Sequence, residues 1–308
     1  MNTQKQKIIT KNKYYPAKDS LFYKLSSKGR LAKLVSSTVQ ELKSLTKNDQ
    51  YHCFTQSKRG KTRPIQEPLP KLDKIHSRIA SLLCRIETAD GLHSGRKGRS
   101  NISNASAHIG VGKKVITLDI KNFFPSTKRS SVFDFFYNTM CCSPDIADLL
   151  SHICTYDDHI PTGSRLSMPL AYFANKRMFD EMEQTANECN AKMTIYVDDL
   201  TFSGEELSKN FITRIELIAK KYGHKINSSK TRFYAEDAVK LVTGVAVIDN
   251  QLKPRNKHLE ALFKKTNDWQ VNKSMQSRNC ILGYMTYLGS IDSRYKDRAR
   301  TFRQKAIF

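Results

Sequence analysis

Acidic residues are scarce in this chain. Its 308 residues hold 29 Asp and Glu against 52 Lys and Arg, a formal net charge of +23. A surplus of that sign points to a partner carrying many negative charges, nucleic acid first, over a merely basic soluble protein. Long apolar runs are missing as well. No stretch approaches the roughly 18 apolar residues a membrane span needs. The N-terminus is basic and lacks the continuous apolar segment of a signal peptide. The sequence therefore predicts a cytoplasmic protein with no membrane partner. Paired cysteine spacings are absent. Cys53, Cys84, Cys141, Cys142, Cys154, Cys189 and Cys280 are odd in number, and no two show the gap of a zinc knuckle. They read as reduced thiols, mostly buried. Internal repeats and low-complexity tracts are absent too.

What remains is an ordinary globular composition. Hydrophobic residues make up 39% of the chain, enough to bury a core of two or three subdomains. Residues 1–30 carry seven Lys and one Arg against one Asp and read as a basic arm. Helices are expected near 29–47 and 69–88, where apolar residues recur at helical spacing. Residues 51–66 look extended, with a turn at Lys58-Arg59-Gly60-Lys61. Residues 91–112, rich in Gly, Ser and Asn, read as loop with short structure. Val115-Ile116-Thr117-Leu118 has the composition of a short buried strand. Thr194-Ile195-Tyr196-Val197 and Leu200-Thr201-Phe202-Ser203 stand at hairpin spacing. A helix over 207–222 stops at Gly223, strands follow near 231–235 and 240–247, and the tail from about 255 is helical. This order predicts an α+β fold carrying helical appendages.

The chemistry-bearing residues are carboxylates. Asp119 closes the apolar strand, and Asp198 and Asp199 occupy the turn of the hairpin. As a lone dipeptide, Asp-Asp suits any polar turn. Facing a third Asp at the end of a buried strand, it gathers like charges whose repulsion a hard divalent cation relieves. Two such ions suit an in-line phosphoryl displacement.

Tyr196-Val197-Asp198-Asp199 resembles the signature hairpin of reverse transcriptases. Residues 117–126, Thr-Leu-Asp-Ile-Lys-Asn-Phe-Phe-Pro-Ser, resemble their first catalytic motif in its bacterial form. Asn104-Ala105-Ser106-Ala107-His108 and Val242-Thr243-Gly244 resemble two elements of the retron enzymes. Ile226-Asn227 with Lys230-Thr231 resembles the motif between. The likeness covers roughly residues 50–300.

The resemblance implies a right-hand architecture of fingers (1–114, with part of 128–165), palm (115–250) and helical thumb (251–308). It implies catalytic roles for Asp119, Asp198 and Asp199. Two Mg²⁺ ions would be held by these residues and the backbone carbonyl of Ile120. Phe124 falls at the sugar gate. Arg63, then Lys61, would contact the incoming triphosphate, and Gly163 would allow close approach to template or nucleotide. Asn104, His108, Val242, Thr243, Gly244, Arg294 and Arg298 are the expected RNA contacts. Residues 251–308 hold 13 Lys and Arg against 4 Asp and Glu, with Tyr284, Tyr287 and Tyr295 interleaved, a composition that suits a structured RNA. Pro161-Thr162-Gly163-Ser164-Arg165 departs from the family, where many members have Gln at the second position and Pro at the fifth. The implied partners are deoxynucleoside triphosphates, a dedicated noncoding RNA with its branched RNA–DNA product, and a separate effector protein in antiphage defence. No RNase H-like or effector segment is expected. Two other readings stay open: a reverse transcriptase of intron or abortive-infection type, and a catalytically silent RNA-binding scaffold.

Overall fold

The computed structural model describes residues 7–58, 60–248 and 250–305, except the side chains of Lys58 and Lys61. The chain opens with α1 (Lys28–Leu34) and α2 (Val39–Ser44), the hairpin β1 (Tyr51–Lys58) and β2 (Lys61–Pro68), then α3 (Pro70–Leu83) and α4 (Asn101–Ser106). β3 (Lys114–Asp119) leads into α5 (Phe123–Ser126), α6 (Arg129–Asp134), a π turn, α7 (Pro144–Cys154), α8 (Ser167–Ala174) and α9 (Lys176–Asn187). β4 (Lys192–Tyr196), β5 (Asp199–Gly204), α10 (Lys209–Lys221) and β6 (Arg232–Tyr234) follow. β7 (Lys240–Val242), β8 (Val245–Ile248) and β9 (Gln251–Lys253) precede α11 (Asn256–Val271), α12 (Met275–Gly289) and α13 (Arg294–Lys305).

Every pairing between these strands is antiparallel. β1 and β2 form a two-stranded ribbon, β7–β9 a small meander, and the central sheet has the order β4-β5-β3-β6. Ile116, Leu118, Leu200 and Phe202 of the central strands are fully buried. Phe202 meets Phe211 of α10 edge-on at 5.0 Å, which fixes that helix on the sheet. One large apolar core runs from α1–α3 through this sheet to α6–α10. A second, smaller core joins Ala105 of α4, Val115 of β3 and Val242, Val245 and Val247 of the meander. A third holds α11–α13 together around Leu262, Ile281, Met285 and Leu288. Among the described residues no helix is long and apolar enough to cross a membrane.

Several boundaries differ from the sequence expectation, each for a local reason. The region near 29–47 divides at Ser36, which is left-handed (φ 57°), and Thr38 caps the second helix by accepting from the Glu41 N–H. α3 stops at Leu83 because residues 85–87 exchange backbone bonds with Tyr15 of the basic arm. The loop at 91–112 contains α4, begun by a capping box between Ser100 and Ser103. The single strand expected over 240–247 is a hairpin turning at Thr243 and Gly244, both left-handed (φ 42° and 84°). All seven cysteines are free, but only Cys142 and Cys154 are buried.

Four imidazoles are sealed into this fold and bonded on defined nitrogens. His76 bridges Ser164 and the Ile153 carbonyl, His108 bridges Thr194 and Ser203, and His224 bridges Ser126 and Asn175. His93 meets Ser103. Burial lowers their pKa values to about 4 for His76, His93 and His224 and to about 3 for His108. The folded protein therefore keeps them neutral where the unfolded chain takes up protons. Stability is expected to be full above about pH 6.5 and to fall as pH drops toward 4, each histidine contributing up to about 1.4 kcal/mol per pH unit. Urea midpoints at pH 7.5, 6 and 5 check this; equal midpoints would show that the imidazoles are not held neutral.

Candidate active site

The register of the central sheet brings the three carboxylates together. β3 pairs with β5 so that Asp119 stands directly opposite Asp199. The Ile120 N–H donates to the Asp198 carbonyl at 2.8 Å, closing the end of the sheet around Asp198. The turn between β4 and β5 is Val197-Asp198, and Tyr196 pairs with Asp199. Val197 is left-handed (φ 61°), a costly state for a β-branched residue. Its N–H donates to Ser94 Oγ at 3.0 Å, so the segment before α4 holds the turn in shape. On the far side, the Asn227 N–H donates to the Asp119 carbonyl and the Lys121 N–H to the Lys225 carbonyl. Neither of these bonds, nor the one to Asp198, uses the carbonyl of Ile120.

The charges in this corner are out of balance. Asp119 is buried. Burial, then the charge of Asp119, pushes the Asp198 carboxyl above its ordinary range, with Lys230 and Arg63 opposing. Burial, then Asp198 and Asp119, raises Asp199 to about 7. The Lys230 ammonium forms an ion pair with Asp119 Oδ2. Among the described residues no three His, Cys, Asp or Glu side chains are closed around one point. The donor set is nevertheless that of a hard cation: oxygen ligands only, carrying unmet negative charge and with a lysine ammonium already drawn to one of them. The residues fit a divalent cation that would exchange with Lys230 at Asp119. Lys230 had no role assigned from sequence, though it stands in the quoted 226–231 segment. Ser94 gave no signal at all.

Asn122 is left-handed (φ 52°) and turns the chain from β3 into α5. Phe123 is buried against Phe179 and His224, whereas Phe124 is half-buried beside it at 5.8 Å. Arg63 is exposed on β2, and its charge is felt at Asp198. The backbone of Lys61 opens β2, but its side chain lies outside the described part of the structure.

Gly163 does permit a close backbone approach, but to β2. A Cβ there would lie 2.5 Å from the Gln66 carbonyl oxygen, to which the Gly163 N–H donates at 3.1 Å.

Three of the expected RNA contacts, Asn104, His108 and Val242, have fully buried side chains that meet protein partners. His108 ties α4 to β4 and β5. Asn104 donates to Thr243 Oγ1 at 3.4 Å, Thr243 Oγ1 donates to the Asn101 carbonyl at 2.8 Å, and Asn101 Nδ2 donates to the Thr243 carbonyl. The two motif elements, at 104–108 and 242–244, thus support each other. Asn101 Nδ2 also reaches the Tyr287 hydroxyl of α12 at 3.1 Å. Arg294 and Arg298 are exposed; the first pairs with Asp292 and the second lies 5.1 Å over the Tyr295 ring.

An antiparallel sheet that sets one carboxylate at a strand end against two in the neighbouring hairpin, with helices behind it, defines a right-hand nucleic-acid polymerase. Residues 24–256 match the family described as reverse transcriptase (RNA-dependent DNA polymerase). The chain is 25% identical over 287 residues to the Retron Ec86 reverse transcriptase of Escherichia coli, covering 89% of this chain and 88% of that one. It is 33% identical over 183 residues to the Retron Se72 reverse transcriptase of Salmonella heidelberg (strain 579083-10), covering 56% of this chain and 47% of that one. Apo telomerase from Candida tropicalis, truncated from its C-terminal domain, shares the fold with a TM-score of 0.50 at 13% identity, over 67% of this chain and 55% of that one. The chain belongs to the reverse transcriptase family, as an RNA-directed DNA polymerase. Members of this family work with divalent metal ions.

Proposed function

We propose that the corner formed by Asp119, Asp198 and Asp199 adds deoxynucleotides to a primer hydroxyl along an RNA template. The observation that carries this is the register: Asp119 opposite Asp199, with Asp198 bonded through its carbonyl to Ile120. Two Mg²⁺ ions would be held by the three carboxylates and the Ile120 carbonyl. When bound, such ions lower the pKa of the attacking hydroxyl and stabilise the departing pyrophosphate oxygen. Lys230 balances Asp119 and would give way to a cation held there. Arg63, with Lys61, receives the triphosphate, since a guanidinium takes phosphate oxygens in pairs. Phe124 lies under the ribose and excludes a 2′-hydroxyl.

The division into fingers (1–114 and part of 128–165), palm (115–250) and thumb (251–308) is part of the same reading. The half-buried turn at Thr243-Gly244 and the exposed cations of α13, Arg294 and Arg298, would meet RNA. The clustering of basic residues and tyrosines in α11–α13 supports a structured RNA partner over a random one.

The retron relatives support a more specific reading. A dedicated noncoding RNA serves as template and primer, synthesis starts from an internal 2′-hydroxyl, and the product is branched RNA–DNA. A separate effector would complete a cytoplasmic antiphage system. The test supplies the purified enzyme with the noncoding RNA encoded beside its gene, deoxynucleotides and Mg²⁺. DNA covalently joined to RNA, and released from it by a 2′,5′-debranching enzyme, is expected. DNA that separates from the RNA on denaturation alone would contradict the 2′ priming.

A further inference from the structure

The segment at 161–167, where this sequence departs from its family, is fastened to β2 and α3 by a group of bonds clustered beside Arg63. The Thr162 N–H donates to Gln66 Oε1 at 3.0 Å. The Thr162 hydroxyl lies 2.7 Å from the Pro64 carbonyl and 2.9 Å from Gln66 Oε1. The Gly163 N–H donates to the Gln66 carbonyl, so two consecutive residues of the loop run along the outer edge of β2. Gln66 is itself buried. Further along, Ser164 Oγ meets His76 Nδ1 at 2.7 Å, and Arg165 pairs with Asp73 of α3 at 3.3 Å. Thr162 and Arg165, two of the positions that depart from the family, therefore both bond to the N-terminal part of the chain.

The ribbon needs such support. Two antiparallel strands alone are marginal in water. Pro64, which adjoins Arg63, turns its carbonyl to the outer edge of the ribbon, away from β1. The one β2 carbonyl next to Arg63 that the loop reaches is that of Pro64, and Thr162 binds it. We infer that Thr162 and Gln66 form a clamp that positions Arg63 for the incoming triphosphate before it arrives. Thr162 is thus a positioning residue, acting through Arg63. This rests on the reading of Arg63 given above.

The clamp has a kinetic signature. Thr162→Val keeps the β-branched shape and removes the hydroxyl. It is expected to raise KM for deoxynucleotide about tenfold while kcat stays within about twofold, because triphosphate capture weakens and the carboxylate corner is untouched. Hydrogen exchange at the ladder amides of Arg63 and Ile65 is expected to quicken in the same variant without nucleotide. Thr162→Ser restores the hydroxyl and should restore both values. Gln66→Met, which keeps side-chain length but removes the acceptor, should behave like Thr162→Val. An unchanged KM in both variants overturns the clamp, as does a fall in kcat and thermal midpoint with KM constant. Arg63→Ala separates the two ideas. If it raises KM and Thr162→Val does not, the clamp is wrong; if it leaves KM unchanged, the reading of Arg63 is wrong and the clamp has nothing to position.

Discussion

Asp198→Asn is expected to lose DNA synthesis by a thousandfold or more, while remaining folded and able to bind RNA. The carboxylate is half-buried at the turn of the hairpin, and its backbone, not its side chain, bonds to Ile120. An amide of the same shape leaves that bond and the β4–β5 register intact. It removes one anionic oxygen from the set that fits a divalent cation. A thousandfold loss corresponds to about 4 kcal/mol of barrier, the scale of a lost electrostatic contact to the transition state. Stability should move the other way. The folded state raises the pKa of Asp198 through burial and the charge of Asp119, so at neutral pH its ionised form opposes folding. The substituted amide carries no charge, and the thermal midpoint in chelator is expected to rise. A lowered midpoint would mean that Asp198 supports the fold.

Phe124→Val is expected to narrow the preference for deoxynucleotides over ribonucleotides by roughly tenfold to a hundredfold, or about 1.4–2.8 kcal/mol. The structure separates the two neighbouring phenylalanines. Phe123 fills the space between α5, Phe179 and His224 and belongs to the core. Phe124 packs on it with one side and keeps part of its ring exposed. A smaller side chain at 124 opens room beside the site without emptying the core, so the variant should still polymerise. The ratio of kcat/KM for the two sugars is the readout. An unchanged ratio in an active enzyme would make Phe124 a packing residue only.

The candidate site was legible in the sequence because its parts are local. A buried strand of β-branched residues ending in Asp119, and two such runs flanking Asp198-Asp199, can be read within a few residues each. What places Asp119 opposite Asp199 is pairing between distant strands, and no local pattern encodes a register. The turn at Thr243-Gly244 was missed because a threonine opposes a left-handed backbone. It is held there by Asn101, 142 positions away in the chain. Ser94 was missed for the same reason: its value lies in the Val197 N–H it receives from 103 positions away. Asn104 and His108 were read as RNA contacts from the resemblance of their segment to a retron element, which carries no information on burial. Burial with matched partners is a tertiary property. Gly163 shows the same limit: the sequence indicates that some backbone comes close, and only the fold says that it is β2. α8 escaped notice because it is apolar over most of its surface and shows no stripe.

If the polymerase chemistry resides in the carboxylate corner at the end of the central sheet, its loss must show in the rate of nucleotide addition itself. The most direct measurement is the single-turnover rate of deoxynucleotide addition to a primer on an RNA template, for the wild-type enzyme and Asp198→Asn side by side. Enzyme and template concentrations are set where both proteins bind the RNA fully, with saturating Mg²⁺. Rapid addition by the wild type, none after chelation, and a rate at least about a thousandfold lower for the variant at equal RNA occupancy are expected. A variant rate within about tenfold of wild type would contradict this, because the reacting groups would then have to lie elsewhere.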